Sequence, residues 1–590
     1  MESKTLIAVA VAAIIVIALG AAVFVMGGND KSGSDSGSTD DSGSGSGDDT
    51  GTTEVTTVDG LTVTYESGTD GIVKYAKSSS TGEYTVTFGN VAADTEYTVS
   101  GTLNGGIVVD AGDYAFTLNL AGVTITSSNQ VPIYIASGDS VSISAKSGTT
   151  NSVTDSRAEQ TSDEDISAAV YSMCDLEIKG KGTLEVTSAN NNGIHSKDDL
   201  EVQNLTLTVT CVDNALKGND SVTIKSGTVK LTASSGDGIK TTNSDVSSKG
   251  NQRGTVTINS DKGDTSVLIY AYYDGIDAAY DVVVQETEGN TVTLKILTYT
   301  YASNVTAIGW GVRPGQQGGG IDSEGNPNSI DYSAKGIKAA DTITVSGGDV
   351  YIKAYDDAIH ANADTLENGS TGTGDVTVTG GVLTLYSMDD AIHADGTVVV
   401  SGGTVDVTNG YEGLEGERIV VSGGSVSVVS TDDGFNATAT TGVGIEFSDG
   451  YVYVLAGGDG LDSNSRTSYA GIVFSGGEVV VISTSSGNSV LDTDAGYSYN
   501  GGRVLAICPS GGMWNESIKC SGFSNVGKYA SGSLSKDQVL TVSVGGSLSV
   551  ALKMPVSLSS VVIYLGSNSP TFGTSSSSSV SFDANGVYWS

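Results

Sequence analysis

From Tyr84 onward apolar and polar residues alternate in short runs, as in YTVTFGN from Tyr84 and FTLNLAGVTITSS from Phe116. A period of two predicts strands with one face buried. The alternation is also written repeatedly. The stretch Asp389 to Gly403, DDAIHADGTVVVSGG, returns with variations along most of the chain. Taking Ile392 as the reference slot, equivalent positions are Val170, Ile194, Leu216, Ile239, Ile276, Ile337, Ile359, Leu414, Phe435, Leu461 and Leu491. Ile194 to Leu216 is 22 residues, Leu216 to Ile239 is 23 and Ile392 to Leu414 is 22. Each unit closes on a Gly-rich corner and a further alternating run, such as VSGGDVYIKA from Val345 and VSGGSVSVVS from Val421. Units of this length cannot bury their apolar sides alone, and the pattern predicts a solenoid built from β-strands. With 80 Gly against 6 Pro, the glycines mark corners, and 590 residues can form one continuous core.

Thr5 to Met26 is an uncharged apolar span, long enough as a helix for the ~30 Å of a bilayer's hydrocarbon. Its end lacks the small-x-small site of a cleaved signal peptide, and Lys4 precedes it while six Asp follow by position 49. The expectation is an anchor at 1–26 (or a signal peptide), with the C-terminal domain outside the cell, at its surface. A Ser/Gly/Asp-rich linker and lead-in then covers 27–81, the β-solenoid 82–510 and a β-rich cap 511–590. Insertions at Asn290–Ser333, which carries Trp310, and after His360 interrupt the array. The expected fold class is all-β: a parallel β-helix with a β-rich C-terminal cap, preceded by one transmembrane helix.

Charge changes the picture in two ways. With 68 Asp and Glu against 28 Lys and Arg, a net charge of −40 excludes nucleic acid as a partner. In a solenoid the repeat also stacks equivalent side chains at ~4.8 Å. Two residues before the slot lie Asn192, Asn214, Asp237, Asp274, Lys335, Asp357, Asp390, Glu412, Asp433 and Asp459. One residue after it lie His195, Lys217, Lys240, Asp277, Lys338, His360, His393, Glu415, Asn436, Asp462 and Asp492, so that all three histidines share a column. Asp356, Asp389 and Asp432 thicken the acidic column. Carboxylates at that spacing repel by about 1 kcal/mol in water and several-fold more at an effective dielectric near 20. Calcium, a hard cation taking six to eight oxygens, answers that repulsion. Candidate metal ligands are Asp237, Asp274, Asp356, Asp357, Asp389, Asp390, Glu412, Asp432 and Asp433. The competing role for each acid is to accept backbone N–H bonds in a tight turn. Zinc is disfavoured, because the histidines are spread over different turns without Cys or a short His-x-x-x-His spacing. Candidate carbohydrate contacts are Tyr272, Tyr273, Tyr411 and Trp310 for stacking, with His360 and His393 beside them. Cys508 and Cys520 are close enough for a loop-closing bridge, while Cys174 and Cys211 fall on neighbouring turns.

The segments NNGIHSKDDLEV, DNALKGNDSVTIKSGTVKLTA, SAKGIKAADTITVSGG, DDAIHADG, YEGLEGERIVVSGG, DDGFNA and GGDGLDSN, in this order, resemble the surface carbohydrate-binding domains built as a right-handed parallel β-helix, relatives of the family 9 pectate lyases. The resemblance implies calcium held between turns and binding of cellulose-like or pectin-like, uronate-containing polymers at the cell surface. The function expected is therefore a cell-surface, calcium-associated, non-catalytic polysaccharide-binding protein with a membrane anchor. Alternatives are a calcium-dependent polysaccharide lyase and a structural or adhesive surface protein. No catalytic residue is designated, although Lys335 and Lys338 lie in the ladders where a lyase could use a base.

Overall fold

A computed structural model describes residues 53–66, 72–89, 91–158, 166–298, 333–466, 470–510, 526–530, 533–567 and 569–590. These residues form an all-β fold: one mixed sheet of 39 strands and a second antiparallel sheet of four. Along the array three strands make one repeat. Asn192–Ser196, Asp199–Gln203 and Leu205–Cys211 pair, all in parallel, with Leu216–Gly218, Ser221–Ile224 and Gly227–Ala233 of the next. The slot residues read from the sequence pair one to the next, from Val170 with Ile194 through Ile359 with Ile392 to Leu461 with Leu491.

Period-two patterning supplies the interior. In Leu205–Cys211 the residues Leu205, Leu207, Val209 and Cys211 are buried, and the threonines between them face outward. Each such leucine contributes about 1.5–3 kcal/mol relative to an exposed one. Phe435, Phe447 and Phe474 continue the interior as a stack, Phe447 and Phe474 lying 5.3 Å apart at 9°. The residue before the slot is Gly or Ala from Val170 to Leu461, because the interior and the next turn press on it: a Cβ on Gly275 would meet Ile296 Cγ2 at 2.3 Å and the Gly336 carbonyl oxygen at 2.6 Å.

The expected fold class needs correction on two points. The large sheet is mixed, since both ends of the parallel array are closed by antiparallel strands. At the start Thr53–Val58 pairs antiparallel with Leu61–Glu66, and Leu61–Glu66 with Thr95–Asp110, all upstream of or overlapping the first parallel pair, Tyr84–Gly89 with Thr95–Asp110. At the far end Ser560–Leu565 pairs antiparallel with Tyr497–Pro509 and so covers the last open edge. The four-stranded sheet, Thr571–Ser575, Val539–Val544, Ser547–Lys553 and Val587–Trp589, forms a second apolar cluster with Tyr453, Val480, Ile482, Leu505 and Ile507. The cap thus lies along the outer face of the final turns as well as on their edge.

The second point is the membrane. Among the described residues no helix is long and apolar enough to cross a bilayer. Apolar residues there recur at period two and fill a shared interior. The span at 1–26 lies outside the described residues, so the transmembrane helix, the membrane as a partner and the anchored placement at the cell surface are withdrawn. Trp310 and Cys520 also fall outside them, and Cys211 is a buried thiol.

Candidate cation and carbohydrate site

The residue two before each slot sits where the chain turns into the strand, and its side chain bonds the next turn. Asn192 Oδ1 accepts the Asn214 N–H at 3.0 Å, and Asn214 Oδ1 the Asp237 N–H at 3.0 Å. Asp237 Oδ1 then accepts from Asp274 at 3.0 Å, Asp274 Oδ1 from Lys335 at 2.7 Å, Asp357 Oδ1 from Asp390 at 3.0 Å and Asp390 Oδ1 from Glu412 at 3.1 Å. Asp433 Oδ1 accepts from Asp459 at 2.7 Å. The acids are turn formers with one oxygen, and the second oxygen accepts further bonds at Asp274, from Ser333 at 3.0 Å, and at Asp459, from Asn488 at 3.2 Å.

Up to Glu415 the chain supplies cations of its own. Lys240 Nζ lies 2.7 Å from Asp237 Oδ2 and 2.6 Å from Asp277 Oδ2. Lys338 reaches Asp277 at 3.5 Å and Asp274 at 3.9 Å. Lys335 holds Asp356 at 2.7 Å and Asp357 at 2.8 Å. Burial alone would raise the Asp357 carboxyl, but Lys335 and the histidines hold it well below the usual carboxylate range. Burial works against the Lys335 charge, yet Asp357 and Asp356 outweigh it and keep the ammonium protonated. His360 Nδ1 lies 2.6 Å from Asp357 Oδ2 and His393 Nδ1 3.1 Å from Asp390 Oδ2, the two imidazoles stacking at 4.2 Å and 13°.

Beyond Glu415 no ion pair among the described residues involves Asp432, Asp433, Asp459 or Asp462. Burial, with repulsion from neighbouring acids, pushes Asp433 up to about 8, Asp462 to about 7 and Asp459 to about 6. These carboxylates carry hard oxygen donors and have no positive charge of their own chain beside them. Among the described residues four groups bring ligand atoms within 4.8 Å of one another, all of them before Asp432: Asp237–Asp274–Asp277, Asp356–Asp357–Asp389, Asp357–His360–His393 and Asp390–His393–Glu415. In the first two, lysine ammonium groups already occupy the carboxylates. The metal-binding capacity of these clusters stands; which ion they take is a separate question.

The aromatic candidates fall beside the ladder. Tyr411 N–H donates to the Asp389 carbonyl at 2.7 Å and Asp432 N–H to the Tyr411 carbonyl at 2.8 Å, which places Asp389, Tyr411 and Asp432 in one corner column. Tyr273 and Asp356 hold the same position on earlier turns, each directly before its ladder residue. Tyr273 and Tyr411 are half-buried, and Tyr272 packs edge-on against Tyr273 at 5.1 Å. Glu412 Oε2 accepts from Asn436 at 2.8 Å. Sequence reasoning missed Asp395, which faces both histidines, and Asp277 as a partner of two lysines. Their positions in the repeat could have disclosed both.

Residues 82–374 match a family model described as a carbohydrate-binding domain-containing protein. A carbohydrate-binding domain-containing protein of Acetivibrio thermocellus is 41% identical over 118 residues, 19% of this chain and 41% of that protein. The chain therefore spans about two fifths of that curated relative's length. Residues 82–374 are thus similar to carbohydrate-binding domain-containing proteins. Among solved structures, a polysaccharide lyase-like protein from C. thermocellum, as a gadolinium derivative, is 33% identical, covers 40% of this chain and 85% of its own, and aligns with a TM-score of 0.32.

Proposed function

We propose that the chain binds a linear polysaccharide, cellulose-like or uronate-containing, along the corner column, with the binding domain over 82–510 and the cap over 511–590. The observation that carries this reading is the column Tyr273, Ala334, Asp356, Asp389, Tyr411, Asp432, in which two half-buried tyrosines are separated by an alanine and two carboxylates at the spacing of the turns. Tyrosine offers an apolar face to a sugar ring and a hydroxyl to its rim. Calcium, when bound, would be held by Asp432, Asp433, Asp459 and Asp462, where it neutralises the ladder and can share an acidic sugar's carboxylate. The similarity to carbohydrate-binding proteins over 82–374 supports the same ligand class.

A second reading is a calcium-dependent polysaccharide lyase. It is favoured by Lys338, which lies beside the Asp237–Asp274–Asp277 cluster, since a lyase needs a cation to acidify the proton next to a uronate carboxylate and a base to remove it. Lys335 and Lys240 are held protonated by their acids and do not fit the base.

One experiment separates the readings: pull-down on insoluble cellulose and on immobilised polygalacturonate, with and without chelator, with absorbance of the supernatant for unsaturated uronide. Retention without product supports the binder, and product assigns the lyase. Neither retention nor product on either polymer overturns both and leaves a structural or adhesive protein.

A further inference from the structure

We propose that the outward face of the third strands, over the turns from Lys230 to Tyr386, binds a uronate polymer through lysine charge and tyrosine rings, without calcium. Parallel pairing aligns Lys230, Leu268, Lys295 and Tyr351 in one outward column, and Tyr270, Leu297, Lys353 and Tyr386 in the next. The lysines are exposed and the tyrosines half-buried. Lys295 Nζ lies 4.9 Å from the centroid of the Tyr351 ring, and Lys353 Nζ 4.9 Å from that of Tyr386. A ring face holds an ammonium group in place without neutralising it. Among the described residues no ion pair involves Lys230, Lys295 or Lys353, whereas Lys240, Lys335 and Lys338 each sit between two carboxylates. Over these turns the outward positions of the third strands carry the three lysines and one acid, Asp349, in a chain whose net charge is −40.

How the columns continue separates this face from a protein contact. From Tyr351 the first column runs through Thr384, Asp406 and Ser427 to Tyr453, Val480 and Leu505. The last three pack against the cap. Where the chain covers its own sheet it presents apolar and aromatic side chains alone; from Lys230 to Tyr386 it adds exposed ammonium groups, which suit an anionic, hydrated ligand. Spacing narrows the ligand further. At ~4.8 Å per turn and ~3.3 Å per residue, Lys230, Lys295 and Lys353 follow one another at about 8–10 Å. An extended 1,4-linked chain of two-fold symmetry turns a carboxylate to the same side at every second ring, close to the same interval. Leu268 and Tyr270 fall between the first two lysines and offer apolar surface to the intervening ring. The ligand class rests on the proposed function; the face and the means of recognition are separate, since the corner column from Tyr273 to Asp432 carries no lysine.

The test is retention of the full chain on immobilised polygalacturonate in chelator, at about 0.1 M and about 1 M salt, where the screening length is ~10 Å and ~3 Å. Retention is expected at the lower salt and should be lost at the higher. Methyl-esterified polygalacturonate, with the same rings and no charge, and polyglutamate, with charge and no rings, should each retain less of the protein. Lys295→Gln and Lys353→Gln should each weaken retention about 1.5- to 5-fold without changing the melting temperature. Lys295→Arg should preserve retention, as it keeps the charge and stacks on the ring. Lys553→Gln, which removes the same charge from the cap, should have no effect. Retention that resists the higher salt, or that falls in Tyr411→Ala and not in the lysine variants, would overturn this face while leaving the corner column standing. Absence of retention in chelator at either salt would overturn it too, and equal retention on polyglutamate would overturn recognition of a sugar.

Discussion

The backbone N–H of Asp390 donates to Oδ1 of Asp357 at 3.0 Å across 33 residues of sequence. The bond turns a conspicuous acid into a staple between turns, and it separates what the oxygen does from what the charge does. Asp390 repeats the arrangement toward Glu412. Asp390→Asn keeps the acceptor, whereas Asp390→Ala leaves the Glu412 N–H buried without one. The alanine variant should be less stable than the asparagine variant by about 1–3 kcal/mol in urea unfolding. Equal midpoints and slopes for the two would show that the staple contributes nothing.

Lys335 gives the opposite case, where charge dominates. Its ammonium is the counterion of Asp356 and Asp357 in a part of the ladder where all three side chains are largely buried. Lys335→Met leaves two carboxylates facing each other in low dielectric and should cost about 3–5 kcal/mol. Calcium added to this variant should recover part of the loss by taking the vacated place, which a thermal melt with and without the ion would read.

The pH dependence follows from acids whose carboxyls are raised in the fold. Asp433, Asp462 and Asp459 go to about 8, 7 and 6 from an ordinary 3.8. The folded chain then binds more protons than the unfolded chain between about pH 4 and 8, so stability falls as pH rises through that window. His393, for which burial opposes the charge but the Asp390 bond and neighbouring carboxylates prevail, is raised to about 9; its stabilisation is complete below its ordinary value of 6.5 and is lost as pH climbs through 9. Asp357 acts the other way, losing its contribution only in strong acid. The melting temperature without metal should therefore be higher at pH 5 than at pH 8. Added calcium should raise it more at pH 8, where it meets ionised carboxylates, and Asp433→Asn should flatten the slope. A melting temperature that rises from pH 5 to 8 in chelator would contradict the assignment of these acids as uncompensated.

Much of the ladder was legible because side chains in stacked strands inherit the period of the sequence. Ile276 with Ile337 is a case in point: the pair spans the expected Asn290–Ser333 insertion, of which Val292–Thr298 proves to be a regular strand of the array, and the slot still aligns. What the period could not show was the direction in which long side chains reach. Lys240 and Lys338 stand in the same column as His360, yet besides Asp277 of that column they reach Asp237 and Asp274 of the other, so an array read as acidic and in need of calcium is half neutralised from within. The antiparallel hairpin at Thr53–Glu66 and the packing of the cap against Tyr453 and Leu505 were equally hidden, because each joins segments with no repeat in common.

Tyr273 and Tyr411 sit four turns apart in the corner column, a span of about 19 Å at ~4.8 Å per turn. If both stack on one polymer, their contributions depend on the length of the ligand. A short oligosaccharide can reach only one tyrosine, so Tyr273→Ala and Tyr411→Ala should each act on a separate bound population and the double variant should lose no cooperative gain. A chain long enough to bridge the span engages both at once, and each substitution should then weaken binding roughly 2- to 12-fold, corresponding to about 0.5–1.5 kcal/mol. Affinity should accordingly climb with chain length up to the bridging length and level off beyond it. Calorimetry across a series of uronate oligosaccharides reads this directly. A length dependence that survives in the double variant would move the polymer to another face of the molecule.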